Sequence, residues 1–170
     1  SLVGSEMCIR DRFSSSNNTV NLGTTARQTT GDGSDILTGI EKINGGGGND
    51  IITGNSSANT LNGGAGNDTL NGGIGNDRLV GDKGHDTLTG GEGDDRLVGG
   101  AGNDIFQINS GVGRNLIVDY EDGGDKIRLL GGITESDLTF NYVGGHTRIN
   151  YDDDLLAIVQ NTVADDITFI

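Results

Sequence analysis

Proline and tryptophan are absent from all 170 residues. Without proline, collagen-like and proline-rich linker readings fall away. Cysteine and methionine occur once each, as Cys8 and Met7, so no disulfide can staple the chain from within. Hydrophobic residues make up 32% and aromatics 4%, too little for a conventional globular core. Positive charge is scarce: 11 Lys and Arg stand against 25 Asp and Glu, a formal net charge of −14. That balance makes nucleic acid a poor partner. No run of 18 apolar residues occurs, so no membrane-spanning helix is expected. H-E-x-x-H, G-x-S-x-G, P-loop and C-x-x-C motifs are all missing, and nothing supplies a nucleophile with a paired base. The chain is therefore read as non-catalytic over its present length.

Glycine is what the chain has in excess: 32 residues, 19 of them between Gly45 and Gln107. That segment is seven nonapeptides without a gap: GGGGNDIIT, GNSSANTLN, GGAGNDTLN, GGIGNDRLV, GDKGHDTLT, GGEGDDRLV and GGAGNDIFQ. The first place is glycine in all seven. The sixth is Asp50, Asn59, Asp68, Asp77, Asp86, Asp95 and Asp104. The eighth is always apolar: Ile52, Leu61, Leu70, Leu79, Leu88, Leu97 and Phe106. A fixed period with fixed chemistry at a few places marks a solenoid.

The residue types suit a hard cation. Ca²⁺ takes six to eight oxygens from carboxylates and carbonyls. A backbone that aims several carbonyls at one point must visit positive φ, where glycine carries no steric cost. The turn glycines cast in this role are Gly45, Gly46 and Gly48; Gly63, Gly64 and Gly66; Gly72, Gly73 and Gly75; Gly81 and Gly84; Gly90, Gly91 and Gly93; and Gly99, Gly100 and Gly102. Each turn is closed by its aspartate. The last three residues of each unit are expected to form a short strand whose middle side chain enters the core. Asp and Gly also form ordinary turns, but that does not explain one acid at a fixed phase in six of seven units. Flanking residues alternate from one unit to the next, as in Arg78-Leu79-Val80 and Arg96-Leu97-Val98 against Thr69-Leu70 and Thr87-Leu88. Two units should therefore make one coil, with odd and even units stacked on opposite sheets.

This nonapeptide resembles the RTX, or haemolysin-type, calcium-binding repeat. The resemblance implies an all-β, right-handed parallel β-roll, a two-sheet β-solenoid with two nonapeptides per coil, and a C-terminal antiparallel β cap. It implies ions between units n and n+2: Asp50/Asp68, Asp68/Asp86 and Asp86/Asp104 on one edge, Asn59/Asp77 and Asp77/Asp95 on the other. The Asn59 site, with Ser57 in place of a turn glycine, is expected to be weak or empty. About four or five Ca²⁺ ions would cancel most of the negative charge. Folding and metal binding should then be one event.

Residues 1–12, SLVGSEMCIRDR, resemble a translated sequencing-adapter fragment and are set aside from the fold. Residues 13–44 read as an N-terminal cap. Within it Thr19 to Leu22 suggests a strand, 31–38 a worn repeat with Asp35 and Leu37 in the acid and apolar places, and 39–44 an irregular insert with Ile43 in phase with the core. The roll is assigned to 45–107. Residues 108–170 lose the period and suggest strands over 116–119, 126–130, 139–143, 147–151 and 155–159. Asp119, Asp122 and Asp125 suit either one further ion or a charged turn. Asp152 to Asp154 reads as a solvated turn. His85, at a variable place in its unit, and His146, in a hairpin turn, read as exposed.

The last block, closing on DDITFI, resembles the uncleaved C-terminal signal of proteins exported by type I secretion. The missing initiator methionine suggests the C-terminal part of something longer, whose N-terminal passenger (protease, lipase, adhesin or toxin) is unidentified. The expected setting is extracellular and bacterial, and the expected state a monomer. Its expected partners are calcium and the secretion machinery. The alternative role is a polysaccharide-binding module, as in alginate epimerases that resemble it, with Arg78 and Arg96 on one exposed sheet and Arg114 nearby. The competing reading is that these arginines are solvated strand residues.

Overall fold

The computed structural model describes residues 2–3, 15–24, 28–30, 33–35, 37–110 and 113–170. Of the expected worn repeat at 31–38, residues 31, 32 and 36 lie outside them; Gly33–Asp35 and Leu37–Thr38 are short strands that join neither large sheet. Of the opening segment 1–12, only β1 (Leu2–Val3) is described; it pairs in parallel with β5 (Leu37–Thr38). β3 (Gln28–Thr30) and β4 (Gly33–Asp35) form a small antiparallel pair.

Two parallel sheets face each other and make the solenoid. One contains β6 (Lys42–Gly47), β8 (Thr60–Ala65), β10 (Arg78–Lys83), β12 (Asp95–Ala101) and β14 (Asn115–Ile117). The other contains β2 (Thr19–Asn21), β7 (Ile51–Thr53), β9 (Thr69–Ile74), β11 (Thr87–Glu92), β13 (Ile105–Ile108) and β15 (Lys126–Leu129). Registers step by two nonapeptides, with Leu61 beside Leu79 and Leu79 beside Leu97 in the first sheet. Leu70 beside Leu88 and Leu88 beside Phe106 do the same in the second. Odd and even units thus occupy opposite sheets, as the flanking residues suggested.

The eighth-place side chains explain why so few apolar residues suffice. Ile52, Leu61, Leu70, Leu79, Leu88, Leu97 and Phe106 are all fully buried between the sheets. Each coil needs only two of them, since each stacks on its counterparts above and below. Ile43 joins the stack beside Leu61, in phase as expected. The irregular insert expected over 39–44 is corrected: Lys42 to Asn44 is regular strand, held in the ladder by β8. The strands are also longer than the triplets expected. Most run on through the first three places of the next unit, because Gly73 and Gly91 still pair across the ladder.

The coil does not end at Gln107. β14 and β15 do not pair with each other; each continues its own sheet beyond β12 and β13. The antiparallel part of the cap is β16 (Leu138–Val143), β17 (His146–Tyr151) and β18 (Asp154–Gln160), with β18 docked in parallel on β14. The tail is tied down as well. The buried Tyr120 hydroxyl donates to Asp125 O (2.9 Å) and accepts from Thr168 N–H (2.8 Å), and Phe169 bridges Ile127.

Candidate metal centres

Each repeat turn is shaped by two different demands on glycine. The second- and fourth-place glycines hold positive φ, for example +100° at Gly73 and +135° at Gly84. Asp82 takes the same conformation, at +83°, as the one non-glycine in those places to do so. The first-place glycines do not need positive φ; they need emptiness. A Cβ on Gly72 would collide with Asp77 Oδ2 and the carbonyl of Gly90, and one on Gly81 with Asp86 Oδ2 and the carbonyl of Gly99. The aspartate oxygen and a carbonyl from the next coil crowd against the bare face of that glycine. In the second unit neither Asn55 nor Ser57 has positive φ, so its turn follows another path.

The sixth-place acids form two ladders. On the long edge Asp50 N–H donates to Asp68 Oδ1 (2.7 Å), Asp68 to Asp86 (2.7 Å) and Asp86 to Asp104 (2.8 Å). Asn18 N–H begins it on Asp50 Oδ1, and Asp104 N–H ends it on Asp125 Oδ1. On the short edge Asn59 N–H donates to Asp77 Oδ1 (2.7 Å) and Asp77 to Asp95 (2.9 Å). There the ladder stops: Asn59 Oδ1 folds back to accept from Asn55 N–H, and Asp95 N–H turns to the carbonyl of Arg114. The pairs expected from the repeat are thus all neighbours in the structure.

One oxygen of each acid is used in this way; the other is not. Oδ2 of Asp50, Asp68, Asp77, Asp86, Asp95 and Asp104 is buried with no hydrogen-bond partner. A buried carboxylate oxygen without a partner carries a large desolvation cost unless a cation meets it. Burial pushes these carboxyls up, Asp86 to about 7 and Asp68 and Asp95 to about 6. Acids one coil away add to the effect: Asp50 on Asp68, Asp104 and Asp68 on Asp86, Asp77 on Asp95. Among the described residues no three acidic, histidine or cysteine side chains converge. A metal here must therefore complete its shell with backbone carbonyls, as a hard cation accepts. Orphaned carboxylate oxygens beside inward carbonyls fit that need.

Several groups lay outside the repeat reading. Asn18, Asn115 and Asp125 are buried and occupy sixth-place positions at the ends of the ladders. Their signal is the triplet Asp/Asn-x-apolar, as Asn18-Thr19-Val20, Asn115-Leu116-Ile117 and Asp125-Lys126-Ile127. The D-x-x-D-x-x-D run is used for hydrogen bonds. Asp119 accepts from Gly99 and Gly100 N–H, and Asp125 from Asp104 and Glu121 N–H. His85 is exposed but not idle. It stands in an outer ladder of fifth-place side chains, donating its N–H to Asn67 Oδ1 and accepting from Asn103 N–H at Nδ1. Arg114 pairs with Asp94 and lines one cleft with Arg96.

The family model for the RTX calcium-binding nonapeptide repeat (four copies) matches residues 37–70, 44–79 and 71–106. No curated protein sequence matches the chain. Among solved structures, the chain is similar to the AlgE6R2 subunit of the Azotobacter vinelandii mannuronan C5-epimerase. Identity is 28% over 69% of this chain and 91% of that one, with a TM-score of 0.49. The AlgE6R3 subunit of the same enzyme shows 21% identity over 72% of this chain and 77% of that one, with a TM-score of 0.44. Residues 37–106 are thus similar to RTX calcium-binding nonapeptide repeats.

Proposed function

We propose that this module folds around about four or five calcium ions outside the cell, and so supports export by type I secretion and stability of a larger secreted protein. The observation that carries it is the set of six buried, unpartnered Oδ2 atoms, one in every second unit along each of the two edges. Asp50, Asp68, Asp86 and Asp104 would hold ions on one edge and Asp77 and Asp95 on the other, with carbonyls of the turn glycines completing each shell. Asn59 offers an amide in place of a charge, and its Oδ1 is already taken. In a low-calcium interior the carboxylates repel one another, and the chain stays extended enough to be threaded. At extracellular calcium of roughly 10⁻⁴ to 10⁻³ M the roll closes. Far-UV circular dichroism of residues 13–170 should therefore show a cooperative gain of β signal on adding Ca²⁺ and none with Mg²⁺. A signal indifferent to calcium would mean that the aspartates are turn residues only.

A second reading rests on one outer row of the larger sheet. Lys42, Thr60, Arg78, Arg96, Leu116, Ile158 and Arg148 stand side by side across seven strands, with no acid among them. Among the described residues neither Arg78 nor Arg96 takes part in an ion pair. On a chain of net charge −14, such a row suits a linear acidic polysaccharide lying along the solenoid axis. The double variant Arg78→Ala/Arg96→Ala should weaken binding to polygalacturonate by about tenfold at low salt. Undiminished binding would remove this reading.

A further inference from the structure

The seventh unit is followed by Ser110-Gly111-Val112-Gly113-Arg114-Asn115-Leu116-Ile117-Val118. Shifted by two residues, this is an eighth nonapeptide with serine in the first place and asparagine in the sixth. Its second half is built like a repeat. Gly113 has φ +123° and stacks on the carbonyl of Gly93, as Gly93 does on Gly75. Asn115 stands beside Asp95 and Ile117 beside Leu97.

Asn115 is buried, and its Oδ1 has no hydrogen-bond partner. Asp95 Oδ2, also buried and unpartnered, faces the same place. Both oxygens crowd the bare face of Gly90. At Gly72 and Gly81 the corresponding pair is an aspartate Oδ2 and the carbonyl of a first-place glycine one coil on. At Gly90 the Asn115 amide oxygen stands where that carbonyl would be. The amide is held by its other end: Nδ2 donates to the carbonyl of Leu156 in β18 (3.4 Å), which aims Oδ1 at Gly90. A cleft of about 270 Å³ beside it, lined by Asp94, Asp95, Arg96, Arg114 and Asn115, gives an approach. Arg114 at its mouth is paired with Asp94.

We propose that Asp95 and Asn115 form one further calcium site, at the junction of roll and cap, outside the seven recognised repeats. It rests on the calcium reading above. One carboxylate and one amide make it weaker than the two-carboxylate steps such as Asp68/Asp86, since affinity follows ligand charge. Filling it joins the last coil to β18 through Asn115.

Ion count by equilibrium dialysis of Ca²⁺ on the full chain, with Asn115→Ala and Asn115→Asp beside the parent, tests this. Asn115→Ala should lose one ion and keep the others. Asn115→Asp should keep the count and tighten the last ion by about tenfold. In the parent chain, once the roll has folded, the Asn115 side-chain amide resonances should shift a second time in the final part of a calcium titration. A full ion count in Asn115→Ala, or Asn115 resonances that do not move after folding, would overturn the proposal. A parent chain that binds no calcium would instead defeat the underlying reading. If Asn115→Ala does not fold, the Asn115→Asp affinity and the parent resonances decide.

Discussion

Alanine at Gly81 should prevent the roll from closing at calcium concentrations that fold the parent chain. Gly81 has no positive φ, so backbone strain is not the reason. Its Cβ would meet Asp86 Oδ2 and the Gly99 carbonyl, two oxygens that the fold brings together against Cα. Neither can retreat cheaply. Asp86 is tied by Oδ1 to Asp68 N–H (2.7 Å), and the Gly99 carbonyl belongs to a strand in the middle of a sheet. Overpacking a well-filled interior typically costs about 1–3 kcal/mol. Here the same methyl group also displaces oxygens proposed to bind calcium at the central acid of the long edge. The expected loss is about 3 kcal/mol or more; shared over about four or five ions bound on folding, it is read as a calcium midpoint moved up at least about threefold in circular dichroism. Gly123→Ala is the control. Gly123 has φ +76° but nothing within 4 Å of an added Cβ, so it should lose only about 1 kcal/mol. Equal effects at the two positions would show that the oxygens crowding Gly81 can give way and do not limit folding.

That contrast marks how far the residues alone could be read. Period, core and ladder partners follow from chemistry that recurs at fixed places: Leu79 must point inward because it is the apolar member of a strand triplet, and Leu97 must stack on it because two units close a coil. The separate reasons for glycine do not follow. Positions one and two look alike as letters, yet Gly72 is bare to admit oxygens while Gly73 is bent at φ +100°. Nor does a pattern that has slipped. The two extra residues before Ser110 move the eighth unit out of phase, so Asn115 is lost to a strict nonapeptide frame although its triplet is intact. Asp125, after a longer excursion, is lost the same way. Asp119 could be read as ligand or turn from its spacing, and only its hydrogen bonds to Gly99 and Gly100 assign it to closing the last turn. The exposed fifth-place residues drift in identity, so the outer ladder through Asn67, His85 and Asn103 has no single letter to announce it.

Acid should partly replace calcium in folding the chain, while weakening its affinity for calcium. Burial raises Asp86 to about 7, and Asp68, Asp95 and Asp125 to about 6, from an unfolded value of 3.8. An acid whose pKa is higher in the folded state binds protons more tightly when folded. Its contribution to the metal-free fold is fully present below about pH 3.8 and is lost as pH rises through 6 to 7. The direction is the reverse of the usual salt-bridged carboxylate. Near neutrality the unpaired Oδ2 atoms are charged, buried and repelled by the next acid along the edge, and calcium must meet that cost. Near pH 4 protons meet it instead. With a chelator present, β signal should therefore be greater at pH 4.5 than at pH 7.5. With calcium present the proton is a competitor, since carboxylate ligands must be ionised. The calcium midpoint should fall as pH rises from 5 to 7.5, then level off once the long-edge acids have lost their protons. The change should be steep, because Asp68 and Asp86 each lie between two neighbouring acids on the ladder. Asp86→Asn should flatten it, removing the highest of the raised carboxyls while keeping an oxygen for Asp68 N–H. A calcium midpoint independent of pH, with a metal-free chain equally unfolded at both pH values, would mean that the carboxyl groups are neither buried nor bound to the ion in solution.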